Sequence, residues 1–160
     1  MLQLLFRIFL ILAFAVWFGG FTFYTAVVVP IGTDVLGSAR TQGFVTQQVT
    51  NVLNIIGCVS VLLMLVDLFL NWKPRTPKVN LLLAIVLGVI VVLLGVLFVV
   101  HPILDSMLEP EHEHVNDDAR FYEMHRIYLW ASTIQWLLCL VWLVVIVRDW
   151  QNRAGLAKAC

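Results

Sequence analysis

Phe121 to Trp142 reads FYEMHRIYLWASTIQWLLCLVW. Set on a helical period, one stripe separates from the rest: His125, Tyr128, Ser132, Gln135, Cys139 and Trp142. The steps are three, four, three, four and three, which place all six on one face of an α-helix. The remaining surface is mostly Leu, Val, Ile and Trp. A segment this apolar, with polar groups gathered on one side, needs a protein neighbour inside a membrane.

The rest of the chain agrees. Of 160 residues, 61% are hydrophobic and 12% charged, about half the charge a soluble domain of this length carries. Four windows without Asp, Glu, Lys or Arg reach the ~20 residues a bilayer requires: Ile8–Thr33, Thr41–Val66, Val79–Val100 and Ile127–Val147. The expectation is an all-α integral membrane four-helix bundle, antiparallel and up-down, in a single transmembrane domain. Its spans fall at about 5–29, 46–70, 79–100 and 121–147. The first segment is read as a retained helix, because its apolar run exceeds that of a signal peptide. No basic surface is present to bind nucleic acid, and the expected surroundings are a lipid bilayer. Three cysteines, Cys58, Cys139 and Cys160, suggest no disulfide framework or paired-cysteine zinc site.

The first span carries WFGGFTFYTAVVVP over Trp17–Pro30. Gly19 and Gly20 invite close approach of a neighbour, as do Ala84, Gly88 and Gly95 in the third span. Pro30, Gly32 and Asp34 predict a helix end, with a loop from Ile31 to about Gln42. The second span opens on a face formed by Gln47, Asn51, Asn54 and Cys58, and amides in a membrane segment are costly unless paired. Asp67 lies one turn before the basic loop NWKPRTPK and is expected to pair with Lys73 or Arg75, or to snorkel to the interface. The third span is expected to end at Val100, with a short amphipathic turn beyond Pro102. From Asp105 to Arg126, seven acids stand against two bases.

Lysine and arginine set membrane orientation. Arg7, Lys73, Arg75, Lys78, Arg148, Arg153 and Lys158 fall on one side; Arg40, Arg120 and Arg126 fall on the other. Both termini are therefore expected to be cytoplasmic, in the plasma membrane, or the inner membrane of a bacterium. The acidic loop then lies outside.

That topology sets Gln47, Asn51 and Asn54 level with His125, Tyr128, Ser132 and Gln135. Tyr24 and His101 reach the same depth. The outer half of the bundle is expected to be polar and the inner half nearly dry. These nine residues are either a hydrogen-bonded packing layer or a pocket open to the outside. In the second case His101 and His125 are candidate axial haem ligands, and a quinone-type ligand with a redox or transport role is the related alternative. His112 and His114, among acids in the third loop, are candidate metal ligands, since imidazole and carboxylate suit zinc, copper or nickel. No phosphate-binding glycine loop, nucleophile elbow or metalloprotease motif occurs.

WFGGFTFYTAVVVP and MHRIYLWASTIQW, in the first and last spans, resemble small bacterial inner-membrane proteins of a family of unknown function related to transmembrane protein 205. The resemblance implies four helices, a glycine-bearing first helix with Pro30 at its end, and the pair His125-Arg126 opening the last helix. It implies no reaction and no particular cofactor. Trp17–Gly20 is also similar to the start of membrane protoporphyrinogen oxidases. Those carry a histidine and basic residues where this chain has Val27–Pro30, which argues against that activity. The sequence thus favours a non-enzymatic membrane protein of structural, assembly or interaction type, acting as a homo-oligomer or with a membrane-complex partner.

Overall fold

The computed structural model describes residues 1–109, 114–115 and 118–159, with side chains described for 1–107 and 119–155. The elements are α1 (Leu2–Phe23), a π-helical turn (Tyr24–Val28), α2 (Val29–Leu36), α3 (Ala39–Leu70), α4 (Pro77–Asp105), β1 (Leu108–Glu109), β2 (His114–Val115) and α5 (Asp118–Ala159). They make four antiparallel spans, each long and apolar enough to cross a bilayer. The most apolar windows of these spans are only 17% to 44% buried. Most of their Leu, Val and Ile side chains therefore face outward, as lipid solvation requires and water forbids.

The spans run longer than the sequence suggests, because two of the expected breaks, at Pro30 and Pro102, do not occur. The first span continues through Pro30. A proline costs its own N–H bond and presses on the carbonyl four residues back. The π turn just ahead, where Val29 N–H donates to Tyr24 O, widens the backbone there. The helix ends instead at Gly37, whose φ of +68° suits glycine. Ser38 Oγ then accepts from Thr41 N at 3.3 Å and starts α3. The expected loop to Gln42 thus shrinks to two residues. The third span likewise passes through Pro102 to Asp105, since a proline in the last turns removes only one bond. Between Asn71 and Thr76 the chain turns as expected, and Pro77 opens α4.

The core is continuous through most of the bundle. Phe14 and Trp17 of α1, Met64 of α3, Leu87 and Ile90 of α4, and Trp142 of α5 belong to it. Phe14 meets Trp142 with ring centroids 5.5 Å apart, and Phe18 stacks on Trp136 at 5.2 Å, closing α5 against α1. A second cluster, Leu97, Val100, Leu104, Tyr128 and Ala131, joins α4 to α5 near the end where β1 pairs with β2. In that ladder Leu108 faces Val115 and Glu109 faces His114.

The glycines divide differently from expectation. A Cβ on Gly57 would stand 2.8 Å from the Trp17 indole, and one on Gly20 would stand 3.3 Å from Leu53. These two let α1 and α3 touch. Gly19, Gly88 and Gly95 have nothing within 4 Å and lie on the exposed surface. Of the groove expected on the third span, Gly88 and Gly95 therefore face away from the bundle, while Ala84 packs against the core. The inward face of α4 is instead made by Leu83, Leu87, Ile90, Leu94 and Leu97, large residues at helical steps.

Candidate functional site

At the end bearing β1 and β2, buried polar side chains meet in three groups. The π turn swings Tyr24 inward, where its hydroxyl donates to Thr46 Oγ1 at 3.0 Å and accepts from Gln42 Nε2 at 3.2 Å. Gln42 lies so close to Gly32 that a Cβ there would overlap its amide. His101 forms the second group. Its Nε2 lies 3.0 Å from Gln47 O and 3.2 Å from Thr50 Oγ1, and its Nδ1 lies 2.9 Å from Asp105 Oδ2. With the proton on Nδ1, the ring donates to Asp105 and Nε2 can accept from the Thr50 hydroxyl, so in that tautomer a metal could bind either nitrogen only by displacing a bond already made. In the third group Asn54 Nδ2 donates to Tyr128 OH at 3.2 Å.

The stripe on the last span is buried from Tyr128 onward. Ser132 Oγ donates to its own helix at Tyr128 O, 2.8 Å away, and Gln135 Nε2 donates to Ile90 O at 3.2 Å. A cavity of about 20 Å³ touches Ser132 and Gln135, room for about one water. His125 is half-buried and stacks on Phe121 with ring planes 6° apart. Asn51 departs furthest from expectation: it is exposed. Gln47 contributes its backbone carbonyl. His112 and the side chain of His114 lie outside the described residues. Among the described residues no group of three His, Cys, Asp or Glu is placed to hold a metal.

The opposite end corrects the expectation of a dry inner half. Arg75 is fully buried, its side chain 0% exposed, between Asp67 and Asp149 at 1% and 7%. Arg75 Nη2 donates to Asp67 Oδ2, and Nε donates to Asp149 Oδ2 at 3.0 Å. Arg153 Nη1 donates to Asn71 Oδ1 at 2.9 Å, and Asn71 Nδ2 donates to Asp67 Oδ1 at 3.0 Å. Arg153 Nη2 lies 2.8 Å from Asp149 Oδ2, but off the line of a hydrogen bond. Asp67 thus takes Arg75 of its two expected partners. Asp149 and Arg153 were legible in principle, because they continue the inward stripe. From Trp142 the same steps lead to Ile146, Asp149 and Arg153.

The two ends differ in satisfaction. Among the described residues, every buried side-chain nitrogen or oxygen without a partner belongs to Arg7, Asn80, Trp150 or Arg153, all at this basic end. The Arg7 guanidinium carbon sits 4.9 Å from the centre of the Trp150 ring. Beside it, Leu2, Gln3, Phe6, Arg7, Leu70 and Asn71 line a cavity of about 430 Å³.

No curated protein and no solved structure matches this chain. Residues 12–113 match the model of a family described as a domain of unknown function, DUF4149. The matched stretch runs through the first three spans and includes Tyr24, Asn54, His101, Asp67 and Arg75, and it takes in well over half of the sequence. The chain therefore belongs to the DUF4149 family of proteins.

Proposed function

We propose that the protein is a non-catalytic membrane component of structural, assembly or interaction type, with both termini cytoplasmic and the β1–β2 end outside. One observation carries the reading. The buried polar side chains of the outer layer, Gln42, Thr50, Asn54, His101, Ser132 and Gln135, are all bonded to protein. Gln42, Asn54, His101 and Gln135 spend theirs on joining helices, and Thr50 and Ser132 close theirs on their own helices; a packing layer does this, and a ligand site, with unmet groups converging on a cavity, does not. The likeness of Trp17–Pro30 and Met124–Trp136 to relatives of transmembrane protein 205 fits the same reading.

Self-association follows as part of it. Gly88 and Gly95 are seven residues apart on the outward face of α4, where a second copy can approach closely. The cytoplasmic placement of the basic end rests on its lysines and arginines.

The deciding experiment is an absorbance spectrum with metal and quinone analysis of the gently purified protein. No stoichiometric chromophore, quinone or metal is expected. A haem band or one bound quinone per chain, lost on Tyr128→Phe or His101→Ala, would replace this reading with a redox one. Reporter fusions at Arg75 and Glu111 should give opposite sidedness.

A further inference from the structure

The basic end holds more positive charge than it neutralises. Among the described residues Arg7, Arg75 and Arg153 stand with Asp67 and Asp149, so one positive charge is in excess. Arg75 takes both aspartates, and Arg153 shares Asp149. Among the described residues Arg7 pairs with no carboxylate, and it rests on the face of Trp150. Arg7 is half-buried, and a cation partly withdrawn from water without a counter-charge favours an anion beside it.

Most of the unmet groups are donors. Among the described residues Arg7 Nε, Arg153 Nε and Trp150 Nε1 are N–H groups that lack acceptors, and Asn80 Oδ1 is the one unmet acceptor at this end. Trp150 and Arg153 are three apart on α5, so they share a face. Gln3 and Arg7 are four apart on α1, on the face that also reaches Asn71: Gln3 Nε2 donates to Asn71 Oδ1 at 3.4 Å, and Arg153 donates to the same oxygen. Donors from α1 and α5 thus gather around one chain of contacts.

The cavity beside them is mixed. Gln3, Arg7 and Asn71 give it a polar side, while Leu2, Phe6 and Leu70 give it an apolar one. Leu2 and Leu70 are 83% and 68% exposed, so that wall is continuous with the lipid-facing surface. A group that suits this site has acceptor oxygens, one negative charge and an apolar tail leaving sideways. We propose that the cavity receives the phosphodiester headgroup of an anionic phospholipid from the adjoining leaflet. Arg7 then supplies the counter-charge, and Leu2, Phe6 and Leu70 meet the upper acyl chains. Basic pockets between transmembrane helices bind anionic headgroups in this manner. A planar guanidinium with free N–H groups suits phosphate oxygens.

The test is native mass spectrometry of the full chain in detergent micelles, titrated with phosphatidylglycerol, phosphatidylcholine or inorganic phosphate. The expected result is retention of phosphatidylglycerol, with phosphatidylcholine bound at least about tenfold more weakly, since it lacks net charge. Arg7→Gln should lower phosphatidylglycerol affinity about tenfold, while Lys73→Gln, an exposed residue on the same side, should leave it unchanged. Should Arg7→Gln fail to fold, Leu70→Trp fills the cavity from its exposed wall without touching the ion pairs, and should lower affinity equally. Unchanged binding in a folded Arg7→Gln or Leu70→Trp would overturn the proposal, as would equal loss in Lys73→Gln, which signals diffuse attraction. Equal affinity for phosphatidylcholine would also overturn it. Displacement of the lipid by equimolar inorganic phosphate would assign the site to a soluble anion instead.

Discussion

Arg75 and Asp149 are 74 residues apart in sequence and are joined by a 3.0 Å hydrogen bond, buried where α3, α4 and α5 converge. The loop after the second span is thereby locked to the last helix. Removing one partner of such a buried pair leaves an uncompensated charge and costs about 3–5 kcal/mol. Arg75→Met should lower the unfolding midpoint in detergent micelles accordingly. The triple change Asp67→Asn, Arg75→Met and Asp149→Asn should recover much of that loss. A triple variant weaker than Arg75→Met would show that the charges are not coupled.

Gly57→Ala tests the contact between α1 and α3. The added methyl would lie 2.8 Å from the Trp17 indole. Trp17 is buried and has little room to yield, so overpacking should cost about 1–3 kcal/mol. Gly88→Ala, with open space around it, should fall within about 0.5 kcal/mol of the natural chain or slightly above it. Thermal unfolding of both variants compares them directly; equal effects would refute the packing described.

Asn54→Leu and Tyr128→Phe form a double-mutant cycle across α3 and α5. Interhelical hydrogen bonds in membranes are worth about 0.6 kcal/mol on average, and a coupling of that size is expected. A coupling several times larger would mean that the pair does more than hold helices together.

Gly88→Leu and Gly95→Leu address self-association. Both side chains would project from the outward face of α4 without touching the bundle. Cross-linking in membranes should show fewer dimers, with the folded monomer unchanged. Dimers at full yield would place the contact elsewhere.

Four spans were legible because lipid exposure writes itself as composition: an uncharged window of sufficient length has few other readings. The stripe from Tyr128 to Trp142 was legible for the same reason, polar groups being rare enough there to mark a face. The glycines were not. Gly57 and Gly88 are both small residues in apolar helices, and only the neighbour decides which is a contact: Trp17 approaches the first, and no side chain approaches the second. Helix ends misled because Pro30 and Pro102 break isolated helices but are absorbed here by a π turn and by position near a terminus. Asn51 and Asn54 are three residues apart, yet one is exposed and the other bonded to Tyr128. Such a difference depends on the angle at which α3 meets α5, which no local pattern records. The Asp67–Arg75 pair was legible from their closeness in sequence, whereas Asp149 and Arg153 escaped because they lie near a span end, where charges ordinarily mean solvent.

That network also bears on the order in which the protein is made. Asp67 and Arg75 emerge together, on either side of one turn, and neutralise each other within a single hairpin. Asp149 and Arg153 emerge last, one helical turn apart, and arrive as a second neutral pair. Neither half must wait in the bilayer with an unbalanced charge for the other to be synthesised. Docking the final helix then joins two units whose charges are already matched. Arg7 has no such companion on α1, and it gains the Trp150 ring only when the last helix docks.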